Sequence, residues 1–255
     1  QINNINLSYM FYKCENLNYA YFSNTMAVND MREMFYNCNS LYSINFTNFQ
    51  SDGSINTSYL FYNCKNLISI RFNNEGTSIY ISDIESMFYN CSSIQEINLP
   101  AFNTIYNINM TRVFYNCNSA SCITFRDYSK FYPNDLHATF YNCKSLSSLD
   151  INNKFITDKT IDISYLFYNC SNLTYLRLYF SNSLTKNMRG TFQNCNHLTN
   201  LYLLNFHTKK AEIMWDMFKG CSSIQSLNLN SFDTSMVTDM ESMFEDFSSL
   251  SSLSL

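Results

Sequence analysis

The feature that most constrains this chain is a short anchor, Phe-x-x-Cys, that returns at nearly fixed intervals. It stands at Phe11/Cys14, Phe35/Cys38, Phe61/Cys64, Phe88/Cys91, Phe114/Cys117, Phe140/Cys143, Phe167/Cys170, Phe192/Cys195 and Phe218/Cys221, and a tenth copy puts Phe247 in the Cys place after Phe244. Successive anchors lie 24, 26, 27, 26, 26, 27, 25, 26 and 26 residues apart. A period of this size means one supersecondary unit stacked on copies of itself, because a single unit has nothing against which to bury its apolar side. Length alone would suggest two domains. The repeat overrides that, and the sequence predicts one solenoid over residues 1–255 with no linker.

Each unit divides into two patterns. Around the anchor, apolar residues fall at Met240, Met243, Phe244 and Phe247, the offsets of one helical face. Thr238-x-x-Glu241 and Ser82-x-x-Glu85 have capping-box spacing. The anchor segment therefore predicts a helix of about two turns, too short to persist without neighbours. After each anchor comes Cys-x-x-Leu-x-x-Leu-x-Leu, read as Leu146, Leu149, Ile151 and as Leu198, Leu201, Leu203. Its alternation predicts a strand with one buried face. The expected fold is an α/β solenoid of ten repeats, with a parallel β-sheet on one face and short helices on the other. Parallel strands about 4.8 Å apart would make it roughly 45 Å long.

The unit Ser231-Phe-Asp-Thr-Ser-Met-Val-Thr-Asp-Met-Glu-Ser-Met-Phe244, with the leucine tail that follows, resembles the surface-protein class of leucine-rich repeats, the BspA-like repeats. The resemblance covers all ten units, although Phe-Asp-Thr is degenerate in most: Phe102-Asn-Thr104 and Phe206-His-Thr208 keep part of it. It implies a right-handed solenoid on secreted or cell-surface proteins that mediate adhesion or surface structure. It implies no catalytic residues.

Composition narrows the function. The net charge is −4, charged residues are 14%, and no Lys/Arg cluster is interleaved with aromatics, which gives no support to a nucleic-acid partner. No apolar run approaches the roughly 20 residues of a membrane span. Four Gly and two Pro leave the turns to Asn, Asp and Ser. Nine of the ten Cys recur once per unit at the end of an apolar stripe, which predicts buried free thiols acting as small apolar side chains, with Cys122 turned outward. His137, His197 and His207 fall in different units at different positions. The reading is of a protein with no catalytic residues, no metal site and no cofactor.

Two columns accompany the anchors. Tyr12, Tyr36, Tyr62, Tyr89, Tyr115, Tyr141 and Tyr168 predict a half-exposed aromatic ladder. Asn37, Asn63, Asn90, Asn116, Asn142, Asn169 and Asn194 occupy the next position, where Asn tolerates left-handed backbone at a helix end. On the open sheet face, small polar residues dominate. Tyr175, Arg177 and Tyr179 with Tyr202 stand out as a candidate binding patch, and Tyr19 and Tyr21 mark another near one end. Glycosylation sequons occur at Asn6, Asn45, Asn56, Asn90, Asn109, Asn169 and Asn172, and their number is what the abundance of Asn, Ser and Thr would yield by chance.

The ends complete the reading. No capping repeat is recognisable: the chain opens on Leu7, Met10 and Phe11, near Tyr19 and Tyr21, and closes on Phe247, Leu250, Leu253 and Leu255. Bare apolar ends predict either a piece of a longer protein or that the last coil of one copy docks on the first coil of the next, a head-to-tail homopolymer. The expected function is a non-enzymatic, glycosylated extracellular structural subunit. The alternative is a cell-surface adhesin that binds carbohydrate or protein through the Tyr/Arg patches.

Overall fold

A computed structural model describes residues 4–22, 26–47, 49–50, 53–73, 79–104, 107–126, 129–151, 154–156, 159–180 and 184–254. The fold is a parallel β-solenoid of about nine turns. The expected ten repeats are thus not supported as ten turns, because ten anchor segments bound nine paths from one anchor to the next.

The leucine tails form the predicted parallel strands. Tyr19–Phe22, Ser43–Thr47 and Ser69–Asn73 pair in register, Ala20 beside Ile44 beside Ile70. Glu96–Leu99 pairs with Cys122–Phe125, Ser148–Asp150 with Tyr175–Tyr179 and Asn200–Leu204, and Ser226–Asn228 with Ser252–Ser254. The ladder is interrupted between these groups, so the face is four short sheets rather than one. Ile44, Leu149 and Leu227 point inward and are buried, while their polar neighbours face solvent. A second row of parallel strands precedes the anchors, including Met26–Asp30, Ile55–Asn56, Ile79–Asp83 and Phe102–Asn103.

The anchor segments are not helices, and no helix occurs among the described residues. Each is a pair of linked turns whose N–H groups alternate between two partners. In the second unit, Met34, Tyr36 and Cys38 donate three residues back, to Met31, Glu33 and Phe35. Met31, Glu33, Phe35 and Asn37 donate to the next coil, at Asn56, Ser58, Leu60 and Tyr62, over 2.8 to 3.0 Å. An α-helix would consume all these donors internally. Left-handed residues two before and two after the anchor make the alternation possible, as at Glu33 (φ 53°) and Asn37 (φ 58°). Gly190 (φ 56°) fills the first of these positions where a Cβ would come within 2.8 Å of the Tyr165 ring. The apolar stripe was read correctly, since Met31, Met34, Phe35 and Cys38 are buried. Two turns bury the same four offsets as a helix, so apolar spacing alone cannot separate them.

The expected capping boxes are replaced by Asx turns. Asp239 Oδ1 accepts from the Glu241 N–H at 3.0 Å, and Asp83 Oδ1 from the Glu85 N–H at 3.0 Å. The same residue position is Asn6, Asp30, Asn56, Asn109, Asp135, Asp162 and Asn187 in other coils, each accepting from the N–H two residues on.

The core is a column of anchor phenylalanines from Phe11 to Phe244, with adjacent ring centroids 5.0 to 6.0 Å apart. Each interior ring is in contact with the one above and the one below, so removing one opens a cavity that adjoining coils share. Phe114→Ala should cost about 3–5 kcal/mol, and Tyr202→Ala on the open face no more than about 0.5 kcal/mol. Urea denaturation monitored by circular dichroism reads both, and equal losses would contradict a column core.

Candidate functional site

The repeated columns place chemistry at fixed heights along the solenoid. The thiols come first. Cys38, Cys64, Cys91, Cys117, Cys143, Cys170, Cys195 and Cys221 are buried, and each Sγ–H donates to the carbonyl of the anchor Phe one coil earlier, at 3.0 to 3.2 Å. All ten cysteines are free; Cys122 is exposed as expected, and Cys14, in the first coil, is exposed as well. Burial pushes the Cys38 thiol up to about 11 and the Cys195 thiol up to about 12, and it raises those of Cys64, Cys91, Cys143, Cys170 and Cys221 in the same direction. Such thiols are poor nucleophiles and poor metal ligands.

The tyrosine column is a stacked ladder. Rings from Tyr12 to Tyr168 lie 4.4 to 5.1 Å apart and within 19° of parallel. Stacking occupies the ring faces and leaves edges to solvent, so sugars cannot stack on them. Burial, reinforced by Tyr89 and Tyr36, pushes Tyr62 up to about 12. Beside this ladder runs an amide ladder that sequence reading missed. Asn63 donates to Asn37 (2.8 Å), Asn90 to Asn63 (2.7 Å), Asn142 to Asn116 (2.8 Å) and Asn169 to Asn142 (2.6 Å). The left-handed backbone expected of this column is present, but at a turn rather than at a helix end.

The sequons divide by this geometry. The Nδ2 groups of Asn90 and Asn169 donate within the amide ladder, and that of Asn109 donates to Glu85 at 3.0 Å. Asn56 accepts from Ser58 through Oδ1, and Asn45 is half-buried on its strand. Asn6 and Asn172 are exposed.

On the open face, Tyr175 and Tyr202 come together with centroids 5.7 Å apart, and Arg177 lies 3.8 Å from Asp150. Tyr179 is turned aside, accepting from Asn205 at 3.0 Å. Tyr202 also lines an open groove of about 530 Å³, where the strands Asn200–Leu204 and Ser226–Asn228 are not paired. Tyr19 and Tyr21 are exposed. His137 Nδ1 lies 2.8 Å from Ser164 Oγ, but that hydroxyl donates to Asp162 and the serine is buried. The serine therefore stands between base and acid, the wrong order for an activated nucleophile.

At the ends, Leu7 is buried, Phe11, Phe247 and Leu250 are partly buried, and Met10 and Leu253 are exposed; Leu255 lies outside the described residues.

The repeat and the solenoid now meet known proteins. Six copies of the BspA type leucine rich repeat region match residues 3–137 and 57–160, together more than half of the chain. The chain belongs to the BspA-type leucine-rich repeat family. Residues 134–254 also match a family described as a Mycoplasma protein of unknown function, DUF285. No curated protein matches the chain. Among solved structures it is similar to the T. pallidum leucine rich repeat protein TpLRR, at 18% identity over 71% of this chain and 77% of that one, TM-score 0.41. A leucine-rich repeat protein from Bacteroides ovatus shares 16% identity over 96% and 77%, TM-score 0.39. A leucine rich cell surface protein from Faecalibacterium prausnitzii shares 14% over 94% and 88%, TM-score 0.32. BspA-type repeat proteins are typically surface proteins, and leucine-rich-repeat solenoids are typically non-enzymatic. No helix among the described residues is long and apolar enough to cross a membrane.

The thiol column sets a pH dependence. Unfolded thiols ionise near pH 8.5–9, whereas the buried ones stay neutral until higher pH. Their contribution is complete below about pH 9 and is lost as pH rises toward the folded values, with a slope of up to about 1.4 kcal/mol per pH unit for each fully buried thiol. The melting temperature should hold steady up to about pH 8.5 and fall steeply from pH 9 to 11; a flat profile would contradict it. In native protein, a thiol reagent at pH 8 should modify Cys14 and Cys122 alone.

Proposed function

We propose that the protein is a non-enzymatic extracellular structural subunit whose solenoid continues from copy to copy, head to tail, into a fibre. The observation that carries this reading is the contrast between end coils and interior coils at equivalent positions. Met10 is 55% exposed, whereas Met34, at the same position one coil on, is 0% exposed. Leu253 is 37% exposed against 5% for Leu227 one coil before it. Among the described residues, Phe11 and Phe244 each stack on one anchor ring, whereas the anchor rings between them stack on two. A coil of the same kind fits both surfaces, whether a further repeat of a longer chain or a second copy supplies it, and the fibre is the second case. Heterologous contacts of this type do not close, and so they propagate.

The buried, weakly acidic thiols and the misordered Ser164 support the non-enzymatic part. Glycans belong at Asn6 and Asn172, where the side-chain amides are exposed; at Asn90, Asn109 and Asn169 a glycan would remove a donor in use. Glycopeptide mass spectrometry of native material should find modification at the first two sites and none at the last three.

One observation favours a second reading, a surface binding module: Tyr175 and Tyr202 converge at the rim of the groove beside Leu203 and Ser226. The two readings separate by mutation. Electron microscopy of the purified chain should show rods extending far beyond roughly 45 Å, the span of one copy at strand spacing. Leu253→Asp should leave single short particles, while Tyr175→Ala with Arg177→Ala should leave the rods intact. Short particles from the unaltered chain at high concentration would overturn the fibre and leave the binding module.

A further inference from the structure

We propose that the tyrosine ladder is a relay for one-electron oxidation, entered at Trp215 through Tyr165 and running coil by coil from Tyr168 toward Tyr12. The relay lies within one copy and does not depend on the head-to-tail contact.

Electrons tunnel rapidly between oxidisable rings in van der Waals contact, and the ladder supplies an unbroken row of them. From Tyr12 to Tyr168 each ring lies 4.4 to 5.1 Å from the next and within 19° of parallel. The anchor phenylalanines stack almost as closely, at 5.0 to 6.0 Å, but a ring without a hydroxyl is far harder to oxidise. Of the two stacks, only the tyrosines can hold a radical. They also reach water: the rings from Tyr36 to Tyr168 are half-buried and Tyr12 is exposed. A phenol that loses an electron must also lose its proton. Burial and neighbouring hydroxyls raise the Tyr36, Tyr62 and Tyr115 phenols above their ordinary range, so each enters the step protonated. Water at the ring edge takes the proton and returns one when the ring is reduced.

The entry lies where the ladder stops. After Tyr168 its position is held by Gln193 and then by Lys219. The aromatic path turns aside there, from Tyr168 to Tyr165 at 5.8 Å. Arg189 Cζ lies over the Tyr165 ring at 5.6 Å and over the Trp215 ring at 4.0 Å. Trp215 is the one tryptophan of the sequence and is half-buried. The guanidinium stands nearer to Trp215 than to Tyr165, so its charge disfavours an electron vacancy on the indole more than on the phenol. That bias moves the vacancy into the ladder. A diffusible oxidant radical takes one electron from Trp215, whose Nε1 proton passes to water. The indolyl radical then takes an electron from Tyr165 and a proton from water, while Tyr165 releases its phenolic proton. Each later step repeats this exchange, and an enediol reductant of the ascorbate class returns one electron and one proton to the last tyrosyl radical. The path protects the column of buried thiols, because an oxidised sulfur no longer fits a site sized for a thiol.

Pulse radiolysis of the whole chain in azide solution tests the relay, since the azidyl radical oxidises indole in preference to phenol at neutral pH. In dilute protein the tryptophanyl absorbance should decay by a first-order process, independent of protein concentration, while tyrosyl absorbance grows in step. Tyr165→Phe should abolish that growth. A spin trap followed by peptide mass spectrometry maps where the radicals arrive, with Trp215→Phe setting the background from direct attack on tyrosine. Tyr115→Phe should keep adducts at Tyr141 and Tyr168 and reduce those at Tyr89, Tyr62 and Tyr36 to that background. Tyr89→Phe should leave Tyr115 labelled and cut off Tyr62 and Tyr36. Phenylalanine keeps the stack, and a cut that follows the substituted coil is not a result that damaged folding produces. Second-order decay, growth that survives Tyr165→Phe, or adducts indifferent to which ring is replaced would each overturn the relay and leave the tyrosines as packing alone.

Discussion

The structure depends on one constraint: each coil must hydrogen-bond to its neighbours along its length, through turn N–H groups on one face and by parallel pairing on the strand faces. Once coils are held at strand spacing, equivalent side chains are forced into contact. Phenylalanine meets phenylalanine, tyrosine meets tyrosine, and asparagine meets asparagine. A residue suits a position when it tolerates its own copy immediately above and below. Aromatic rings do so by offset stacking and amides by donating to one neighbour while accepting from the other. Like charges do not, which is consistent with the low charged fraction of 14%.

Cysteine has a specific place in that scheme. Its position is buried and small, and it sits over the carbonyl of the preceding coil's anchor Phe. A thiol fills the space as an apolar group and still supplies a weak donor to that oxygen. Alanine would leave the oxygen without this contact, and a larger apolar side chain would crowd the coil. The asparagine and aspartate positions solve the same problem at the backbone, capping turn N–H groups that neither the turn nor the next coil takes up. The solenoid thus satisfies its turns with side chains that repeat as strictly as the core does.

Function follows from which groups this repetition leaves over. The interior columns are self-satisfied: thiols are buried, ring faces are covered and amides are paired. What remains among the described residues is the open strand face, with Tyr175, Arg177 and Tyr202. Membership of the BspA-type repeat family fits a protein that works through its surfaces rather than through a catalytic centre.

The sequence by itself determined the repeat, the inward apolar stripe, the parallel strands of the leucine tails and the buried thiols, because each depends only on which residues recur at which spacing. Tertiary structure decided the backbone of the anchor segment. Met31, Met34, Phe35 and Cys38 are buried whether the segment is a helix or two turns, and what selects turns is a set of hydrogen bonds to a coil roughly 26 residues away. One local signal was present in the Asn column and in Gly190 and Gly220, residues suited to left-handed backbone inside what would otherwise be a helix. The second strand row and the amide ladder, and the meeting of Tyr175 with Tyr202, were decided only by stacking. They are contacts between coils, and the period says that coils stack without saying which side chains then touch.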